Sequence, residues 1–148
     1  MRLLDAAGVE YTALEIDSSK ALSGVEAAQL LNKEPDSVYK TLVCVSKSGT
    51  HYVFVVPSNK TLNLKKAAEA SDEKSIAMIK EKELLPLTGY VHGGCSPIGM
   101  KQEFPCFLDE SVLLHEFIII SAGKIGRHIE ICPQALLEYL GAKVKELC

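Results

Sequence analysis

Val38-Tyr-Lys-Thr-Leu-Val-Cys-Val45 and His51-Tyr-Val-Phe-Val-Val56 flank the short polar stretch Ser46-Lys-Ser-Gly-Thr50, and this part of the chain decides the fold. Both flanks are rich in β-branched and apolar residues, and a glycine-containing linker of a few residues suits a hairpin loop. Two paired strands are expected here, with a sheet at the centre of the molecule. Working outward, Tyr11 to Ile16 alternates well enough for another strand. Ser23-Gly-Val-Glu26 has the form of a capping box, which predicts a helix from about Gly24 to Asn32. Leu3, Leu4 and Ala7 recur at helical spacing before Gly8, so a short helix opens the chain. Downstream, Asn63 can cap a helix holding Leu64, Ala67 and Ala68, and the charged stretch from Asp72 to Leu84 predicts one or two short helices. Gly89 to Val91, Cys106 to Leu108, Glu116 to Ile120 and His128 to Cys132 read as strands. Pro133 then opens a helix with an apolar face of Leu136, Leu137 and Leu140, which Gly141 closes. Hairpins interleaved with helices point to a mixed α/β (α+β) fold, a largely antiparallel sheet with flanking helices, and not a simple βαβ winding.

The chain has 148 residues, of which 47% are hydrophobic, enough for one core and too short for two comfortable ones. No repeat or linker divides it, so a single domain spanning 1–148 is expected. The strongly apolar run Phe117 to Ile120 falls far short of the roughly 20 residues that cross a membrane, and the opening Met-Arg-Leu-Leu-Asp lacks a signal peptide's apolar stretch. A cytoplasmic protein without a membrane partner is the expectation. Five cysteines form no CxxC pair, and four histidines show no ligand spacing, so reduced thiols, no metal and no cofactor are expected. A net charge of −3 excludes a protein held on long nucleic acid by charge alone. Local positive charge exists at Lys60, Lys65 and Lys66, and at Lys124, Arg127 and His128. Those clusters read either as a local basic patch or as an ordinary solvated face.

Lys40 is the first candidate for chemistry. In an extended strand it shares a face with Val38, Leu42 and Cys44, which sets an ammonium among apolar neighbours. Such a charge costs free energy unless it meets an anion, a ligand or the edge of the sheet. A substrate-facing lysine and an edge lysine whose stem covers apolar surface both fit. The second candidate is Gly89-Tyr-Val-His-Gly-Gly-Cys-Ser-Pro-Ile-Gly99, whose glycines permit close backbone approach, so that N–H groups can be aimed at a carbonyl or phosphate oxygen. It fits neither the dinucleotide fingerprint nor the P-loop, and a structural turn is the competing reading. The third is Ser121-Ala-Gly-Lys-Ile-Gly126, a strand end that lines a pocket or simply turns a hairpin. Cys95 and Ser96 are the nucleophile candidates, yet no base accompanies them in sequence and neither sits in a GxSxG elbow. What remains is a pocket without an evident nucleophile, which favours positioning of the substrate and stabilisation of developing charge.

Taken together, Val38-Tyr-Lys-Thr-Leu42, Leu62-Asn-Leu-Lys-Lys-Ala-Ala68, Gly89-Tyr-Val-His-Gly-Gly-Cys-Ser-Pro-Ile-Gly-Met-Lys101 and Ser121-Ala-Gly-Lys-Ile-Gly-Arg-His-Ile-Glu-Ile131 resemble the YbaK/EbsC family of prolyl-tRNA editing proteins. The similarity runs from Leu3 to about Gly141, and Met1 is expected to correspond to an internal position of longer relatives. The resemblance implies a barrel-like sheet with flanking helices and hydrolysis of mischarged Cys-tRNA(Pro) in trans, without metal or cofactor. It implies a mechanism in which the substrate's own thiol attacks its ester and leaves a cyclic thioester, a step that would also place the enzyme among lyases. By similarity, Lys40 acts at the phosphate or the reacting ester and Thr41 holds the substrate terminus. Backbone at Gly93 and Gly94, with Ser96 nearby, orients the carbonyl, while Ser121, Gly123 and His128 frame the aminoacyl pocket. The implied partners are the 3′ end of tRNA(Pro) and prolyl-tRNA synthetase. The chain departs from relatives at Ser23, Ile125 and His128, which leaves Ser, Ala and Thr esters as alternative substrates. A non-catalytic module that binds aminoacyl-tRNA or a synthetase is the alternative of another class.

Overall fold

A computed structural model of the protein describes residues 1–17 and 22–148. Along these residues the chain forms α1 (Arg2–Ala7), β1 (Thr12–Glu15), α2 (Gly24–Leu31), β2 (Tyr39–Ser46), β3 (His51–Pro57), α3 (Leu64–Ser71), β4 (Ile76–Met78), α4 (Glu81–Thr88), β5 (Cys106–Asp109), β6 (Ile118–Ser121), β7 (Arg127–Ile131), α5 (Pro133–Leu140) and β8 (Lys143–Lys145). The helix starts follow side-chain chemistry. At α2 the Ser23 hydroxyl accepts from the Glu26 N–H at 3.1 Å, and the Glu26 carboxylate accepts from the Ser23 N–H at 3.0 Å. At α3 the Asn63 side chain accepts from the N–H groups of Lys65 and Lys66, which satisfies two donors the first turn leaves without helical partners.

The strands form two sheets. The five-stranded one has the order β4-β2-β3-β5-β8, antiparallel across β4-β2-β3 and parallel across β3-β5-β8. The three-stranded one, β1-β7-β6, is antiparallel throughout. The mixed α/β class expected from the sequence is what is observed. The two sheets meet at one parallel bridge, between Val38 and Ile119.

Strand alternation sorts the core. Tyr39, Val43, Val53 and Val55 from the larger sheet pack with Ile118, Ile120, Ile129 and Ile131 from the smaller, and Leu136 of α5 closes that layer. Fully burying each isoleucine contributes about 1.5–3 kcal/mol. The opposite face of the larger sheet, Cys44, Phe54, Val56 and Phe107, is covered by Ala67 and Ala68 of α3. On the outer face of the smaller sheet, Ala28 of α2 packs on Val38 and Ile119. Among the described residues, no helix is long and apolar enough to cross a membrane.

Three expectations change. Gly89 to Val91 is not a strand: Gly89 adopts φ 82 as the left-handed cap of α4, and the Tyr90 N–H is taken by the Thr88 hydroxyl at 3.0 Å. The stretch from Asp72 to Leu84 is not wholly helical, because Ile76–Met78 pairs with Cys44, Val45 and Ser46 as β4 before α4 begins. The short strand β8, absent from the sequence reading, runs parallel to β5.

Candidate active site

The hairpin that decides the fold also creates the site. On one side β2 pairs with β3 along its whole length, from Tyr39 to Val45. On the other side the one backbone bridge to β6 among the described residues is at Val38, just before the strand, and β4 is picked up only at Cys44. Lys40, Thr41 and Leu42 therefore lie where the two sheets splay apart. A cavity of about 290 Å³ fills the gap, walled by these residues, by Ser121 and His128 from the smaller sheet, by the turn around Gly93, and by Ser23 and Gly24 at the start of α2.

The fit of α2 against this wall depends on one glycine. A Cβ on Gly24 would stand 1.9 Å from the Cβ of Ser58, so only a residue without a side chain lets the helix start this close to the end of β3. Ser58 itself lines the cavity and donates its N–H to the Val38 carbonyl at 2.8 Å. At the other end of the helix, Lys33 pairs with Glu130 of β7 at 3.0 Å and fixes α2 across the smaller sheet.

Of the residues singled out from sequence, Lys40, Thr41, Gly93, Cys95, Ser121 and His128 line this cavity. Two of them carry polar atoms that are sealed from solvent and have no partner, Thr41 Oγ1 and His128 Nδ1. Buried polar atoms are nearly always hydrogen-bonded, so two unpartnered ones on residues that line one cavity single it out as the candidate site. The Ser121 hydroxyl makes only a long contact of 3.5 Å to the Gly93 carbonyl. His128 lies directly across from Ser121 in the β6–β7 ladder.

Gly94, Ser96 and Gly123 do not line the cavity; Gly94 and Gly123 pack its two glycine-rich turns together, and Ser96 is bonded within its own loop. A Cβ on Gly94 would lie 3.2 Å from backbone atoms of Lys124 and Ile125, so the turns pack main chain on main chain. Gly123, at φ +100, lies against the ring of Tyr90, where a Cβ would come within 2.9 Å of a ring carbon. Ser96 is completely buried, and its hydroxyl accepts from the Ile98 N–H at 3.1 Å. Among the departures from the family pattern, Ser23 and His128 face the cavity, whereas Ile125 lines a separate surface groove with Glu15 and Asp17.

The cavity's titratable groups are mostly neutral. Burial pushes the Cys95 thiol up to about 11 and the Tyr39 hydroxyl to about 12, so neither supplies an anionic nucleophile at neutral pH. Burial lowers the pKa of His128, which holds its imidazole neutral. No carboxylate lines the cavity among the described residues. Outside the cavity, burial and the neighbouring Asp109 push the Cys148 thiol up to about 11, with the charges of Lys40 and Lys60 acting in the opposite direction. A larger groove of about 1160 Å³ runs along α1 and β1, but it is lined by Asp5, Glu10, Glu130 and Glu138, a poor surface for a phosphate-bearing ligand. Among the described residues, no three His, Cys, Asp or Glu side chains gather as a metal-ligand set.

Sequence reasoning missed Gly24 and Ser58. A glycine inside a capping box is a faint signal, since glycine is a poor helix former. Its partner in space is remote in sequence and leaves no trace there.

Comparison with known proteins gives a consistent picture. Residues 19–139 match the family described as the aminoacyl-tRNA editing domain. The chain is 40% identical, over 99% of its length and 90% of the relative's, to "Putative Cys-tRNA(Pro)/Cys-tRNA(Cys) deacylase EbsC" of Enterococcus faecalis. Over 70% of its length it is 30% identical to a proline–tRNA ligase of Shouchella clausii, of which it covers 18%. Its backbone is similar to the crystal structure of "a putative trans-editing enzyme for prolyl tRNA synthetase", with a TM-score of 0.85 at 28% identity, covering 97% of this chain and 90% of that one.

Proposed function

Because this chain belongs to the aminoacyl-tRNA editing domain family, we propose that it is a trans-editing deacylase that hydrolyses mischarged Cys-tRNA(Pro) in the cytoplasm, with the cavity beside β2 as its active site. The observation that carries this reading is the pair of unpartnered buried polar atoms, Thr41 Oγ1 and His128 Nδ1, in a cavity shared with Lys40. A volume of about 290 Å³ lies at the small end of ligand pockets, room for an aminoacyl group with the nucleotide lying outside. Lys40 stands at the edge of β2, where its charge meets the terminal phosphate or the ester. The backbone at Gly93 orients the ester carbonyl, and Thr41 hydrogen-bonds to the substrate terminus.

Among the described residues the cavity offers no ionised thiol and no carboxylate, so bond breaking falls to the bound molecule. The cysteinyl thiol attacks its own carbonyl, releases the tRNA and leaves a cyclic thioester for water to open. The enzyme's contribution is orientation, with a near-attack geometry replacing a random encounter, and stabilisation of the negative charge that grows on the carbonyl oxygen. Selectivity against serine and alanine then rests on chemistry more than on fit, since a pocket separates side chains that differ by a methylene or hydroxyl by only about 1–3 kcal/mol. With a net charge of −3, the protein gains little non-specific affinity for tRNA, and docking with prolyl-tRNA synthetase supplies the acceptor stem.

The test is deacylation of a panel of Cys-, Ser-, Ala- and Thr-charged tRNA(Pro). Fast loss of the cysteinyl ester alone is expected. Cleavage of the serine or alanine ester with the cysteine ester left intact overturns the substrate assignment, and binding without turnover of any ester overturns the enzyme. Lys40→Ala should lower deacylation at least about 100-fold with the fold retained, the scale for removing one charge-stabilising group.

A further inference from the structure

We propose that His128 is the base that takes the proton from the attacking thiol of the bound cysteinyl group. The inference rests on the deacylase reading and adds to it the proton acceptor that this reading lacks. A thiol attacks as its thiolate, so a group in the cavity must receive the proton.

The candidates can be worked through in turn. No carboxylate faces the cavity among the described residues, and Cys95 and Tyr39 are held protonated by burial. His92 is exposed to water, which leaves His128 as the sheltered imidazole. Its side chain lines the cavity, and its Nδ1, sealed from solvent, has no hydrogen-bond partner among the described residues.

Most of the charged groups around it are engaged elsewhere. On β7, Arg127 pairs with Glu15 of β1 at 3.6 Å and Glu130 with Lys33 of α2 at 3.0 Å. On α2, the Glu26 carboxylate accepts from the Ser23 N–H. The cross-strand neighbours of His128 are Leu14 and Ser121, neither of them charged. Lys40 of β2 lines the same cavity. Burial is the one resolved cause of the lowered His128 pKa, and it keeps the imidazole neutral and able to accept.

The step balances. The S–H proton passes to the imidazole while the sulfur bonds to the ester carbonyl carbon. The bond from that carbon to the ribose oxygen breaks, and the departing oxygen takes the proton back from the imidazolium. Neutral His128, free tRNA and a four-membered thiolactone result, and water opens the ring to cysteine.

The experiment is single-turnover hydrolysis of Cys-tRNA(Pro) by the intact protein between about pH 5 and 8. In the wild type the rate should rise with pH through a limb lying below the ordinary histidine value of about 6.5, then level off. His128→Gln should lose that limb and lower the plateau by about 10²–10⁴-fold. A variant that keeps both the limb and the rate overturns the assignment of His128 and leaves the deacylase reading intact. A wild type that cleaves no aminoacyl-tRNA sinks both together. A second arm needs no variant: S-methylcysteinyl-tRNA(Pro), which has no thiol proton to give, should survive the wild-type enzyme. Its cleavage at the rate of the cysteinyl ester overturns the proton transfer.

Discussion

Thr41 carries the argument at the scale of a single residue. Its Oγ1 is buried and unpartnered, and an unsatisfied buried hydroxyl costs the folded protein about 1–3 kcal/mol. A substrate that supplies the missing partner recovers that cost only when bound. Thr41→Val therefore separates stability from activity. Thermal melting should show the variant as stable as the wild type or more so by up to about 1 kcal/mol, while deacylation falls about tenfold. A variant that melts lower and still cleaves at the wild-type rate assigns the hydroxyl to structure alone. Lys40 was legible from the alternation of its strand and Ser121 from a glycine-rich strand end, whereas Thr41 and His128 were reached only through the family resemblance, and His128 lies half-buried in β7 where the sequence suggested a surface or loop histidine. Gly94, Ser96 and Gly123 were misplaced for a physical reason. A glycine-rich turn announces close backbone approach, but not whether the approaching group is a ligand or another turn, and here it is Lys124, Ile125 and Tyr90.

At the scale of elements, the legible parts are those specified locally. Capping at Ser23 and Asn63, the proline at the start of α5 and the β-branched runs of β2 and β3 all act within a few residues, and all form as read. The strand β4 was not legible, because Ile76, Ala77 and Met78 become a strand by pairing with Cys44 to Ser46. Likewise Lys143-Val-Lys145 is a strand only because β5 lies beside it. The short reach of β4 matters for function, since a longer strand would cover Lys40 to Leu42 and close the cavity. The seat of α2 gives a test at this scale. On an open helix, Gly24→Ala would gain up to about 1 kcal/mol of propensity. Against Ser58 it should instead cost about 1–3 kcal/mol as overpacking and slow deacylation by shifting the cavity wall. Adding Ser58→Gly should restore most of both losses. A stabilised single variant contradicts the contact between Gly24 and Ser58.

For the whole molecule, the arrangement explains how a protein with a net charge of −3 meets a polyanion. The carboxylates of Asp5, Glu10 and Glu138 line the large groove by α1 and β1, which shares no lining residue with the cavity beside β2. Lys40 lines the cavity beside β2, whereas Lys60 lies in a separate surface groove with Asp109, Glu110 and Glu146. On the proposed reading the acceptor end is met at one place, the cavity where the two sheets part beside the bridge between Val38 and Ile119. The measurement that bears most directly on this claim is an NMR titration of the intact protein with cysteinyl-adenosine in which an amide replaces the ester. Saturable shifts should concentrate at Lys40, Thr41, Gly93, Ser121 and the His128 imidazole. Shifts that leave these residues untouched and gather instead along Val9 to Ala13, in the large groove, contradict it.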